Sequence, residues 1–424
     1  MITFATNTGA GSLEYTKLLL KSLKENLKSK EHEILIFIDS DTDGTYEYLK
    51  SVKSEFTDLK IIRHKVKPVI GYQLNSNIIV EYAKYDIISY LQNDMIVSKN
   101  YDVGVLEDLE DNCILSSTRI EPPLHGQSPI TFTKDFGLMP EEFKWDEFVE
   151  FADTVKSDRV ENYFFAPYTF HRKTWQSIGG YDSRFRRARE DSDFVQRCVQ
   201  KGIKLKQTFK SNVYHFTCVS SRGKNWFDKN NKEAQERVEL QKIADNIELQ
   251  RFFRKWGTFN HGETILKKLD TDLVLKGNAI SNLPFVAWLE PFFSRVWVES
   301  DKYKDDIILF YKDEHTPANK LLAFSDEDWK TAKHIFNTTN YAEIYKVGTP
   351  TDFNIKVEIE FTNVKDNDEF LMNIHNITSM FIDTEAGVYE LGCAKITINK
   401  IVVISDSYTT VTNPPFDKNL LEIE

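Results

Sequence analysis

The chain has 424 residues, 41% of them hydrophobic, and a formal net charge of −11. That length suits two domains, or one large domain with an appendage. The acidic balance argues against broad, non-specific binding to nucleic acid, which draws its affinity from a basic surface. No apolar run approaches the roughly 20 residues of a membrane span. Met1-Ile-Thr-Phe-Ala-Thr6 enters a strand-like run without a basic leader, so a cytoplasmic protein without a signal peptide is expected. Cys113, Cys198, Cys218 and Cys393 are far apart and form no CxxC pair, which reads as free thiols in a reducing compartment.

In chain order, Ile2–Thr6 is a short apolar run closed by a turn with Gly9 and Gly11. Ser12 is placed to cap a helix whose Leu13, Leu18, Leu19, Leu20, Leu23 and Leu27 recur at helical spacing. Glu33–Asp39 is an apolar strand ending in a carboxylate, Gly44–Val52 a short helix, and Leu59–His64 a strand. Gln73–Lys84 is a helix, and Asp86–Leu91 a fourth strand. Apolar strands alternating with helices predict a mostly parallel sheet covered on both faces. Ligands bind such sheets beyond the carboxyl ends of the strands, where Thr6, Asp39 and Asp94 fall. Gln92-Asn93-Asp94 interrupts an apolar stretch with amides and a carboxylate, which is costly unless something receives them; a loop Asp closing a turn is the competing reading. No GxGxxG follows the first strand and no GxxxxGK[ST] occurs, which argues against a dinucleotide fold or a P-loop.

Several segments resemble glycosyltransferase family 2, whose fold is GT-A. Phe37-Ile-Asp39-Ser-Asp41-Thr-Asp43-Gly44-Thr45 is similar to that family's VDDGSTDGT segment, one residue shorter. Gly71–Asn77 with Glu81–Asp86 is similar to GxxxARNxG…AxGDY, and Ser89–Asp94 to LFLDDD, with Gln92 where the first acid of the DxD element stands. The resemblance implies that Asp39 reads the nucleotide base with Thr6 and Asn77 in the same pocket. It also implies that Asp94, with Asn93 beside it, lies at a Mg²⁺ or Mn²⁺ site carrying the donor diphosphate.

Residues 121–160 are acidic and aromatic, with Trp145, Phe148 and Phe151 at helical spacing; they read as a surface helix packing its apolar stripe or as a lid beside the site. Asn162–His171 is β-rich and leads through Arg172–Ile178 to Gly179-Gly180-Tyr181-Asp182, similar to the family's GGFD turn on the acceptor side. Arg184, Arg186, Arg187 and Arg189 then precede Glu190-Asp191-Ser192-Asp193 at the start of a helix. By composition these acids could simply favour the helix N-terminus. By resemblance to the family's EDxD element, Asp191 is the general base, Glu190 holds the acceptor, and Asp193 caps the helix. The arginines are partners of these acids or contacts for the diphosphate or an anionic acceptor. Ser211-Asn-Val-Tyr-His215, followed by Ser221-Arg222-Gly223-Lys224, is similar to VxH…S[RK]G, which implies His215 as a metal ligand and Arg222 and Lys224 as diphosphate contacts.

Lys229–Lys255 is a long charged helix, and Arg251-Phe-Phe-Arg-Lys-Trp256-Gly257 is similar to the YFxxKWG that closes the family's catalytic domain. The expected organisation is a mixed, mostly parallel GT-A domain over 1–260, a mostly helical extension over 261–345, and a small β-rich domain over 346–424 that could mediate homo-oligomerisation. Asn354–Phe361 reads as a strand, and Gly387–Gly392 with Lys395–Ser405 as a hairpin. The resemblance implies a metal-dependent, inverting transferase moving a sugar from a nucleoside-diphosphate-sugar (UDP favoured) to a hydroxyl on a glycan, lipid-linked sugar, protein or modified base. The alternatives are a nucleotidyltransferase that makes nucleotide-sugars, and a nucleotide- or carbohydrate-binding protein without catalysis.

Overall fold

The computed structural model describes residues 1–65, 70–124, 128–185, 188–217, 226–257 and 267–276, and beyond these shorter stretches, chiefly 289–298, 335–337, 355–360, 381–392, 394–401 and 416–424. The chain divides into two compact units, one formed by most of Met1–Gln241 together with Val411–Glu424, the other by most of Lys242–Thr410.

The first unit is built on one mixed sheet. Its strands are β1 (Ile2–Thr8), β2 (Glu33–Ile38), β3 (Leu59–His64), β4 (Ile87–Gln92), β5 (Met95–Val97), β6 (Cys113–Glu121), β7 (Thr131–Thr133), β8 (Val160–Glu161), β9 (Tyr168–His171), β10 (Lys204–His215) and the C-terminal β17 (Leu421–Ile423). They run in the order β17-β3-β2-β1-β4-β9-β6-β10-β5, with β7 beside β6 and β8 beside β10. Strands β3, β2, β1 and β4 are mutually parallel, and the continuous apolar run of β2 suits a strand buried on both faces. Between them lie α1 (Leu13–Asn26), α2 (Thr45–Val52) and α3 (Tyr72–Tyr82), whose buried faces carry Leu19, Leu20, Leu23, Leu49, Ile78 and Ile79 into the core. Further along come α4 (Tyr101–Asp108), α5 (Trp145–Thr154), α6 (Arg172–Ile178), α7 (Glu190–Gln200) and α8 (Lys232–Trp256). Cys113 and Cys198 are free and buried, and burial pushes the Cys113 thiol up to about 11. No helix among the described residues is long and apolar enough to cross a membrane.

Two details of the α1 boundary differ from the sequence reading. The Ser12 hydroxyl makes no capping bond; it turns back to Thr8 Oγ1 (2.7 Å) and the Gly9 N–H (3.1 Å). The Leu13 N–H is instead received by the Asp43 carboxylate at 3.0 Å, and the same carboxylate accepts the Thr45 N–H (3.3 Å) and hydroxyl (2.7 Å). One acid therefore satisfies the exposed donors at the starts of both α1 and α2. Burial alone would raise its pKa, but the hydrogen bonds from Thr45 and Leu13 outweigh that and hold Asp43 below the usual carboxylate value.

The aromatic insertion follows the surface-helix reading. Phe148 is buried with Phe136, Tyr214 and Phe216, and Phe143 and Phe151 pack against them. Because side chains alternate along a strand, Tyr214 and Phe216 point into this cluster while His215 points to the other face. The insertion thereby clamps the end of β10.

The second unit contains β11 (Thr271–Lys276), β12 (Arg295–Val298), β13 (Ile335–Asn337), β14 (Ile355–Glu360), β15 (Gly387–Leu391) and β16 (Ala394–Ile398), ordered β13-β12-β11-β14-β16-β15. Strand β14 and the β15–β16 hairpin fall where the sequence placed them. The mostly helical extension over 261–345 is corrected: its longer described elements, β11, β12 and β13, are strands, and Thr271-Asp-Leu-Val-Leu and Arg295-Val-Trp-Val are rich in the β-branched and aromatic residues a pleated surface favours. The remainder of that segment lies mostly outside the described residues. The chain end also departs from a separate 346–424 segment. Leu421, Glu422 and Ile423 pair antiparallel with His64, Arg63 and Ile62 on the edge of the first sheet.

Candidate active site

At the end of β2 the Asp39 carboxylate is already engaged, while Asp41 Oδ1 is buried without a hydrogen bond. Asp39 follows β2 and accepts the Ile70 N–H on one oxygen and the Gly71 N–H on the other, both at 2.9 Å, so it anchors the entry to α3. His64 Nδ1 lies 3.7 Å from the same carboxylate, beyond hydrogen-bonding range. Asn77 is tied elsewhere: its Nδ2 donates to the Tyr181 carbonyl and its Oδ1 accepts the Tyr181 N–H, both at 2.8 Å. Gly180 adopts φ 68°, and a Cβ there would collide with the Asn77 amide, so only glycine lets the turn approach α3 this closely. The Asn77 amide is thus spent on the acceptor-side turn. Thr6 is buried within β1 and its hydroxyl reaches only the Asn7 carbonyl, at 3.4 Å.

The ends of β1 and β4 differ sharply. Asn7 and Gln92 are register partners, and each has a buried side-chain oxygen, Oδ1 and Oε1, without a hydrogen-bond donor. Two residues on, in the turn shared with Asn93, the Asp94 side chain is only 3% exposed, and neither of its carboxylate oxygens has a hydrogen bond. Burying an anion in this way is costly unless a counter-charge arrives. The sheet supplies half of one. Antiparallel pairing puts His215 opposite Met95, and parallel pairing of Tyr214 with Ile120 puts His215 beside Glu121. The imidazole therefore lies between two acids, with Nε2 3.7 Å from Asp94 Oδ2 and Nδ1 2.7 Å from Glu121 Oε1. Glu121 is in turn held by Arg119 Nη1 at 3.2 Å. Burial pulls the Arg119 guanidinium down, against the opposing pull of Glu121 and, more weakly, Asp94. The Asp94 charge also adds to burial in raising the Tyr15 phenol.

These residues fit a divalent cation as far as they go. A spacing of 3.7 Å is too long for a hydrogen bond, yet both groups can reach one ion at bond lengths of about 2 Å. The free acceptors nearby are oxygens, which suits a hard cation. Glu121, 2.7 Å from Nδ1, would be an outer-sphere carboxylate to such an ion, and Nε2 is the nitrogen on the Asp94 side. Among the described residues no three His, Cys, Asp or Glu side chains form a metal cage. Asp94 and His215 are the two candidate ligands that the described residues bring together. Glu121 is the member that sequence reading missed; its only signal was a charge closing the buried strand Cys113–Glu121.

Asp191 and Glu190 begin α7. Asp191 is exposed, and one of its oxygens accepts the Ser192 N–H at 2.6 Å. Both acids lie within electrostatic reach of the buried Tyr168 phenol, which burial raises chiefly and their charges raise further. Asp193 is not the cap the sequence suggested. It is fully buried and pairs with Arg197 at 2.9 Å, while Arg197 Nη1 donates to the Ile178 carbonyl at 2.8 Å and so joins α7 to α6. Arg184 grips Asp182 with Nε and Nη2, which accounts for one of the arginines as a partner of an acid. Arg186, Arg187, Arg222 and Lys224 lie outside the described residues.

Residues 9–129 match the family model described as Glycosyl transferase family 2. The N-terminal part of the chain is thus similar to a family 2 glycosyltransferase domain, and its mixed α/β sheet is flanked by helices. No curated protein matches the sequence. Among solved structures, the chain is similar to residues 1–349 of S. aureus TarS in complex with UDP, at 12% identity over 59% of this chain and 71% of that one, TM-score 0.36. It is also similar to GalNAc-T7 with UDP, GalNAc and Mn²⁺, at 14% identity over 60% of this chain and 50% of that one, TM-score 0.40. A third is the mannosyltransferase PcManGT of Pyrobaculum calidifontis with GDP-Man and Mn²⁺, at 12% identity over 76% of this chain and 78% of that one, TM-score 0.39. Likeness at this level carries nothing about chemistry.

Proposed function

We propose that the chain transfers a sugar from a nucleoside-diphosphate-sugar, UDP-linked by preference, to a hydroxyl acceptor with inversion, using Mn²⁺ or Mg²⁺. The observation that carries this reading is the buried Asp94 carboxylate, unpartnered on both oxygens and facing His215 Nε2. Asp94 and His215 hold the cation, and Glu121 keeps the imidazole in the tautomer whose Nε2 is free to ligate. When bound, the ion neutralises charge on the departing diphosphate. Asp39 lies where the nucleoside is read, with its carboxylate already fixed by two backbone N–H groups. Asp191 takes the proton of the acceptor hydroxyl as that oxygen bonds to the anomeric carbon, and the bond to the diphosphate oxygen breaks with its electron pair. An exposed carboxylate at the start of α7 is well suited, because an acceptor can reach it.

Asp191→Asn tests the base. Turnover of a UDP-sugar onto acceptor should fall by about 10²–10⁴-fold while UDP affinity stays within a factor of about two. Normal turnover in this variant would remove Asp191 from the role.

A further inference from the structure

Glu161 ends β8, and the chain then crosses to β9 without regular secondary structure. Phe164 faces inward and stacks on Tyr168, centroids 4.7 Å apart with planes at 13°. Tyr163 and Phe165 face outward. They are 38% and 42% exposed, and the only other exposed large aromatic among the described residues is Tyr389 in the second unit. Their rings are nearly parallel, 4° apart in plane with centroids at 6.5 Å.

This pair is held in place. The Phe165 N–H donates to Ser116 Oγ at 2.9 Å, and the Arg119 guanidinium lies 3.5 Å from the Phe165 ring centroid. Arg119 is itself buried and bonded to Glu121 and to the Ala166 carbonyl, so the ring rests on a fixed support. The surroundings are polar and acidic. Tyr163 lies within electrostatic reach of Arg119, Glu121 and Asp191.

We propose that Tyr163 and Phe165 form a stacking platform for a pyranose ring of the acceptor, so that the hydroxyl reaching Asp191 belongs to a carbohydrate. This inference rests on the transfer reading above. A pyranose presents a flat face of C–H groups that covers aromatic carbon, and hydroxyl edges that stay hydrogen-bonded to water and to rim acids. An aliphatic chain or apolar peptide would cover the rings but desolvate Glu121 and Asp191, and an anionic acceptor would be repelled by them.

Saturation-transfer NMR on the full chain, with methyl glucoside, galactoside, mannoside and N-acetylglucosaminide as probes, tests the platform. At least one glycoside should receive saturation on its ring C–H protons. Combined Tyr163→Ala and Phe165→Ala substitution, in a chain that keeps its far-ultraviolet circular dichroism, should weaken that glycoside about ten-fold. Tyr163→Phe should keep it, since the ring suffices, and Tyr389→Ala should keep it as an exposed aromatic outside the pair. Undiminished binding in the double variant overturns the platform, as does saturation of none of the four glycosides. The two proposals fail separately. Cleavage of a UDP-sugar with Mn²⁺ alongside no glycoside contact removes the platform and leaves transfer. Glycoside contact through Tyr163 and Phe165 without any donor cleavage or nucleotide binding removes transfer and leaves a carbohydrate site.

Discussion

The two halves of the resembled motif set end in opposite states. At the end of β2, Asp39, Asp43 and, across α3, Asn77 spend their polar atoms on backbone N–H and C=O groups. At the ends of β4 and β10, neither carboxylate oxygen of Asp94 has a hydrogen bond, and Gln92 and Asn7 each leave a side-chain oxygen without a donor. Both regions look alike in sequence, a buried strand closing on Asp. The difference separates acids whose oxygens the fold already engages from one whose oxygens it leaves without a hydrogen bond, and a buried anion left so is costly. It also recasts the missing first acid of the DxD element. With Gln92 there, the proposed metal site has Asp94 as its acid, and Glu121 would join it through its contact with His215 Nδ1.

Substitutions at the two ends should therefore separate. The largest effect belongs to the β10 end: Glu121→Gln should cost about 10–100-fold in Mn²⁺ affinity by calorimetry, with a small change in melting temperature. An unchanged affinity would reduce Glu121 to an ion-pair partner of Arg119. At the β2 end the pattern should reverse. Asp43→Ala should lower stability by about 1–2 kcal/mol in denaturant titration, because two helix starts lose their acceptor, and Mn²⁺ affinity should not move.

The smallest effect is in acid. The Asp43 pKa is lower folded than its unfolded value of about 3.9, so its stabilisation is complete above that value and fades as pH falls through the folded one. The wild type should lose more stability than Asp43→Ala between about pH 4 and pH 2. Parallel acid limbs would show that Asp43 contributes nothing there.

Much of the sheet was legible in the sequence because its determinants are local. Continuous apolar runs gave β1 to β4, helical spacing gave α1 to α3, and alternation gave the β15–β16 hairpin. The pairing of Asp94 with His215 was readable only through the family order of motifs. What stayed hidden depends on contacts distant in sequence. Glu121 reaches the site because β6 lies parallel to β10, which no local pattern reports. The tie from Asn77 to Tyr181, the burial of Asp193 on Arg197 and the capture of Leu13 by Asp43 each join residues whose types fit several roles equally well. The short β17 finds its partner β3 across nearly the whole chain, and its three residues carry no periodicity to read.

The central claim is that Asp94 and His215 await a divalent cation. Thermal melting of the wild type and Asp94→Asn, each with and without Mn²⁺, tests it most directly. Without metal, Asp94→Asn should melt higher than the wild type, since it removes an unpartnered buried charge. With Mn²⁺, the wild type should gain stability and the variant should not. A variant that melts lower than the wild type without metal and is stabilised equally by Mn²⁺ would contradict the claim and return Asp94 to a structural role.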